Sequence, residues 1–109
     1  MNADEKHVDH LLTELKVRLN GIYGSRLKGL YLYGSYARGE EDEESDLDIL
    51  VVLDQFDSYA REVDRTGQLA SNLSLKYGIT VSKVFIREAQ WLRGDTSFLS
   101  NVREEAILF

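Results

Sequence analysis

A small mixed β-sheet flanked by helices, in the α/β (α+β) class, is the architecture this sequence predicts. Three observations carry that prediction. Two long segments have helical periodicity, three short segments between and after them are rich in β-branched and aromatic residues, and one of these, Leu47–Leu53, is apolar on both faces apart from Asp48. An order of helix, strand, strand, helix, strand, helices has no simple all-α or all-β solution, so a mixed sheet covered by helices follows. At 109 residues, 43% hydrophobic and 29% charged, the composition matches a single globular domain spanning residues 1–109.

The elements follow in order. Val8, Leu11, Leu12, Leu15, Leu19 and Ile22 recur at three-and-four spacing, which predicts an amphipathic helix that stops around Gly21 and Gly24. Leu27–Tyr33 is short, apolar and aromatic and ends at Gly34-Ser35, the pattern of a strand meeting a turn. Leu47–Leu53 reads as a central strand. Tyr59, Val63, Thr66, Ala70, Leu73 and Tyr77 mark the buried side of a second helix, with Ser58 as its cap, Gly78 as its end and Arg61, Glu62 and Arg65 on the outer side. A third strand is expected over residues 79–86. A short helix over Glu88–Arg93 is broken at Gly94-Asp95, and residues 97–107 predict another.

Composition also excludes functions. No run of about 18 apolar residues is present and the N-terminus lacks a basic stretch leading to an apolar one, so no membrane association and a cytoplasmic location are expected. The absence of cysteine removes disulfide scaffolds, thiolate nucleophiles and sulfur-ligated zinc. A net charge of −6 argues against direct nucleic-acid binding. That charge is local: residues 40–48 hold seven acidic residues and no basic one, and the rest of the chain sums to +1, from −6 plus 7. Residues 40–44 read either as a solvated loop or as an acidic rim.

The chemistry is concentrated between residues 34 and 51. Asp46 and Asp48 stand two apart, which in a strand places both carboxylates on one face, where they are candidate metal ligands for Mg²⁺. An isolated Asp-x-Asp is far more often only the solvated start of a strand. Gly34 lets the backbone approach a phosphate group, Ser35 adds a hydroxyl, and Arg38 is a candidate phosphate contact or a solvated loop residue. His7 and His10 lie three apart on the first helix, but without a third ligand in the sequence they read as solvated surface. The tyrosines and Trp91 read as packing, and Ala106 to Phe109 as an apolar end that docks on its own domain or on a partner.

Gly34-Ser35, ten residues, then Asp46-x-Asp48, with Ala37-Arg38-Gly39 after the serine, resembles the signature of the minimal nucleotidyltransferases of the DNA polymerase beta superfamily. The resemblance spans the first strand through the third and implies the DNA polymerase beta-like nucleotidyltransferase fold. It implies ATP as donor and Mg²⁺ as cofactor, with Gly34, Ser35 and Arg38 on the nucleotide and Asp46 and Asp48 as catalytic metal ligands. Family members with a full ligand set carry a third carboxylate on the strand after the second helix. Here that position falls near Ser82, so the metal is held more weakly, or another carboxylate arrives from elsewhere, or activity is reduced. Stand-alone members are often antitoxins paired with a HEPN-domain ribonuclease toxin, which they silence by adenylylating a tyrosine hydroxyl. That is the function the resemblance implies. The alternatives are a non-catalytic antitoxin that masks the toxin by binding, or nucleotidyl transfer to a small molecule.

Overall fold

The computed structural model describes residues 3–109. Its elements are α1 (Ala3–Tyr23), a 3-10 turn (Gly24–Arg26), β1 (Leu27–Tyr33), α2 (Ser35–Arg38), β2 (Leu47–Leu53), α3 (Tyr59–Tyr77), β3 (Val81–Arg87), α4 (Glu88–Arg93), α5 (Ser97–Glu105) and β4 (Ile107–Leu108). The four strands form one sheet in the order β3-β2-β1-β4. Strand β1 is antiparallel to both β2 and β4, whereas β2 and β3 run parallel, so the sheet is mixed as the element order predicts. The parallel pair requires a long crossover, and α3 supplies it. Among the described residues, no helix is long and apolar enough to cross a membrane.

Alternation along β2 sends Leu47, Ile49, Val51 and Leu53 to one face and Asp48, Leu50 and Val52 to the other. On the first face, α1 contributes Leu11, Leu15 and Leu19, all with no exposed surface, and α3 contributes Leu69 and Leu73. On the second, the short helices α4 and α5 cover a smaller apolar set: Leu50, Val52, Ile86, Leu99 and Val102. Tyr31 packs there on Trp91, with ring centroids 4.6 Å apart. The packing role expected for these aromatics is the one observed.

Helix α3 begins where expected, with Ser58 Oγ accepting from the Arg61 N–H at 3.3 Å, and ends with the Gly78 N–H donating to the Ser74 carbonyl at 2.9 Å. Several details differ from the sequence reading. Tyr59 and Val63, expected on the buried side of α3, are exposed. Glu62 is buried on α3 because Tyr23 donates to its Oε1 at 2.8 Å and Arg65 at 3.0 Å, so a polar pair on two helices makes an inward carboxylate tolerable. The third strand starts at Val81, after Thr80 has accepted the Leu47 N–H at 2.8 Å. The last helix stops at Glu105, not at residue 107: Ala106 is extended, and Ile107 and Leu108 pair with Leu32 and Tyr31. The apolar C-terminal end therefore docks on its own sheet.

Strand β3 is an outer strand, and side chains reach its outward amides. Val81 N–H donates to Ser74 Oγ at 3.0 Å, Phe85 N–H to Tyr59 Oη at 3.4 Å, and Arg87 N–H to Gln90 Oε1 at 3.3 Å.

Candidate active site

Strand β2 sets the centre of the site. Asp46 directly precedes it and is exposed; Asp48 is its second residue and is half-buried. The two-residue spacing carries both onto the sheet face covered by α4 and α5. Asp48 is flanked by Tyr33 on β1 and Ser82 on β3 in the strand register. Burial, and then the Asp46 charge, push the Asp48 carboxyl above its ordinary value; Arg38 pulls it back. A carboxylate whose ionised form is disfavoured by its surroundings is suited to a cation, and two neighbouring ones leave the rest of an oxygen shell to water and phosphate.

Strand β1 ends at the second half of the site. Gly34 has φ 77° and ψ −156°, a conformation open essentially to glycine, and a Cβ on it would run into the Asp48 carboxylate. Gly34 is thus required twice, by its backbone angles and by the close approach of Asp48. Ser35 opens the single turn of α2, which Gly39 closes in the left-handed region. Arg38 ends that turn.

One carboxylate at the site escapes a reading of the sequence. Glu105, at the end of α5, accepts the Gly34 N–H at 3.1 Å through Oε1 and the Arg38 Nη1 at 2.9 Å through Oε2. The Arg38 bond, reinforced by the Gly34 amide, holds the Glu105 carboxyl below its ordinary value. Arg38 also donates to Glu40 at 3.1 Å. No local motif marks Glu105; the signal is only that β1 and an extended C-terminal segment can pair. Tyr33 was likewise read only as packing. Its phenol is pushed up to about 12, first by burial and then by the Asp48 charge, so it is a neutral neighbour of the acidic pair. It meets the Phe98 ring edge-on at 5.9 Å.

The structure brings Gly34, Asp48 and Arg38 together around one point, with Asp46 beside them. Ser82 lies next to Asp48, at the strand position where a third carboxylate is expected. Among the described residues, no group of three His, Asp or Glu side chains is arranged to hold a metal, so the pair Asp46 and Asp48 is the acidic set available. His7 and His10 are exposed on α1. A cleft of about 710 Å³ opens on the α1 side of the sheet, between Val8 and Leu12, the α2 turn and Ile79, with Glu41 and Asp42 at its rim. It touches neither Asp46 nor Asp48.

A mixed sheet with a glycine-serine turn ending one strand and paired aspartates at the start of its antiparallel neighbour is the arrangement that the resemblance to nucleotidyltransferases implies. The chain belongs to the nucleotidyltransferase domain family, whose model matches residues 8–109. The Methanocaldococcus jannaschii protein MJ0604, provisionally named a protein adenylyltransferase, is 35% identical over 108 residues, covering 94% of this chain and 93% of its own. Protein adenylyltransferase MntA of Thermococcus cleftensis is 28% identical over 95 residues, 80% of this chain and 94% of that protein. A toxin-antitoxin crystallised with AMP-PNP shares the fold, with a TM-score of 0.56 at 22% identity over 95% of this chain and 70% of that one.

Proposed function

We propose that the chain is an Mg²⁺-dependent protein adenylyltransferase that transfers AMP from ATP to a tyrosine hydroxyl of a HEPN-type ribonuclease toxin and thereby acts as its antitoxin. The observation that carries this reading is the Asp46–Asp48 pair on one face beside the Gly34 turn, with the ionised form of Asp48 disfavoured until a cation arrives. Two kinds of likeness support it: relatives named as protein adenylyltransferases, and a toxin-antitoxin of the same fold solved with an ATP analogue.

In this reading the acceptor hydroxyl gives up its proton to solvent and its oxygen attacks the α-phosphorus. A phosphorus–oxygen bond forms, and the bond to pyrophosphate breaks in line with it, pyrophosphate leaving. Asp46 and Asp48 would hold Mg²⁺, which supplies charge neutralisation on the triphosphate and acidifies the acceptor hydroxyl. Gly34, without a side chain, lets the turn lie directly against Asp48, which would bring the phosphate chain held by the turn close to the metal-binding carboxylates. Arg38 provides positive charge at the same turn. Tyr33, opposite Asp48 in the strand register and with its phenol neutral, gives that carboxylate a less polar neighbour, which strengthens charge interactions there.

A second reading rests on Ser82: with a hydroxyl where a third carboxylate is expected, the chain keeps the fold and masks the toxin without turnover. Replacing both Asp46 and Asp48 with Asn separates the two. A transferase loses incorporation of α-labelled phosphate into the toxin by several orders of magnitude, on the scale of lost metal and electrostatic catalysis, while toxin binding persists. Full neutralisation by the Asn variant, with no label transferred by the parent either, would establish masking instead.

A further inference from the structure

We propose that Glu105 is a positioning residue for nucleotidyl transfer: its carboxylate clamps the Gly34–Ser35 turn to Arg38 in the arrangement that receives the triphosphate. This role presupposes the nucleotide site proposed above. Its origin is the register of the last strand. Tyr31 pairs with Leu108 and Leu32 with Ile107, so each step forward along β1 is one step back along the C-terminal segment. Continued two residues further, that register sets Glu105 opposite Gly34, although 71 positions separate them in the chain. The Phe109 N–H, donating to the Leu30 carbonyl at 3.0 Å, anchors the other end of the segment.

The two carboxylate oxygens divide the work. Oε1 takes the Gly34 amide, and so adds a long-range hold to a backbone conformation that is open essentially to glycine and that the turn's own bonds, such as Arg38 N–H to the Gly34 carbonyl at 3.1 Å, already support. Oε2 takes the Arg38 guanidinium, and so selects one arrangement of a long side chain with many rotamers. Glu105 is not placed as the missing third metal ligand, since both oxygens are engaged and no three-carboxylate cluster forms among the described residues. Nor is it an ordinary surface ion pair, for its side chain is only 26% exposed and one of its partners is a main-chain amide.

The test is Mg²⁺·ATP binding by calorimetry, which needs no acceptor, on the parent, Glu105→Ala, Glu105→Gln, Arg38→Ala and the double Glu105→Ala/Arg38→Ala variant, with Tm recorded for each. Loss of the clamp raises the ATP Kd of Glu105→Ala on the order of tenfold, the scale of a misplaced charged contact. Glu105→Gln, which keeps an acceptor for the Gly34 amide and the shape of the side chain, falls between it and the parent. In the Arg38→Ala background Glu105→Ala weakens binding further but by less than it does in the parent, because only the Gly34 half of the clamp remains to be lost; a loss as large as in the parent would overturn the Arg38 half of the clamp. Parent-like affinity in Glu105→Ala, with or without a lowered Tm, overturns the clamp while leaving the nucleotide site standing. Tighter binding by Glu105→Ala overturns it too, and would make the carboxylate a competitor of the phosphates. No binding by the parent removes the nucleotide site and the clamp together.

Discussion

The two faces of the sheet are built on different terms. Beneath α1 and α3 the face is closed: β2 presents Leu47, Ile49, Val51 and Leu53, every one with no exposed surface. Beneath α4 and α5 the same strand presents Asp48, with Asp46 just ahead of it, before Leu50 and Val52, and the covering helices have six and nine residues. A single strand thus presents a buried apolar row on one side and the proposed chemistry on the other, which is possible because its side chains alternate. The closed face can be optimised for packing without reference to the reaction. The open one retains a carboxylate at an energetic disadvantage and a backbone angle that only glycine adopts.

The largest effect that would sharpen this contrast is expected in the closed face. Leu15→Ala leaves a cavity between α1 and the sheet and should cost about 2–5 kcal/mol of folding stability, measured by urea denaturation. ATP affinity of the molecules that remain folded should match the parent. A change in affinity larger than the change in folded fraction would break the separation of the faces.

Gly34→Ala is expected to come next. The added Cβ meets the Asp48 carboxylate and imposes a disfavoured φ, so stability should fall by about 1–3 kcal/mol. Here nucleotide binding should fall as well, beyond what unfolding explains. Equal binding by the folded variant would show that the turn tolerates a side chain and that the site lies elsewhere.

The smallest effect has the opposite sign. Because the folded state raises the Asp48 pKa, stability is reduced as pH rises from the unfolded value through the folded one, and the deficit persists at neutral pH. Asp48→Asn should therefore raise Tm in metal-free buffer by a few °C, on the order expected when a functional group is traded for stability, and the gain should vanish below the pH at which both forms are protonated. A lower Tm at pH 7 would mean that the carboxylate is stabilising and that its burial is compensated by bonds to its neighbours.

What could be read from the sequence was what depends on short-range order. The spacing from Gly34-Ser35 to Asp46-x-Asp48 sets a strand end against a strand start, and the alternating pattern of β2 places both aspartates on one face before any coordinates are known. Helix α3 could be bounded because Ser58 and Gly78 act within one turn of its ends. Glu62 was assigned outward because its partner Tyr23 lies on another helix, and periodicity carries no information about such a pair. The end of α5 is not legible because Ala106 favours helix and Ile107 strand, and only pairing with β1 decides where the helix stops. Glu105 was missed for the same reason: its place at the turn is a property of β4 register, which exists only once the sheet is assembled.

The outer strand β3 bears on how the molecule behaves in a crowded solution. A seven-residue edge is normally a template on which a foreign strand can add, the first step of sheet-driven aggregation. In β3 the amides of Val81, Phe85 and Arg87 point away from β2 and are already taken by Ser74, Tyr59 and Gln90. Lys83 occupies the remaining outward position in that alternation. The row of donors is therefore broken before a second chain arrives, and β-sheet growth from one molecule to the next meets an edge on which three of these four amides are already engaged.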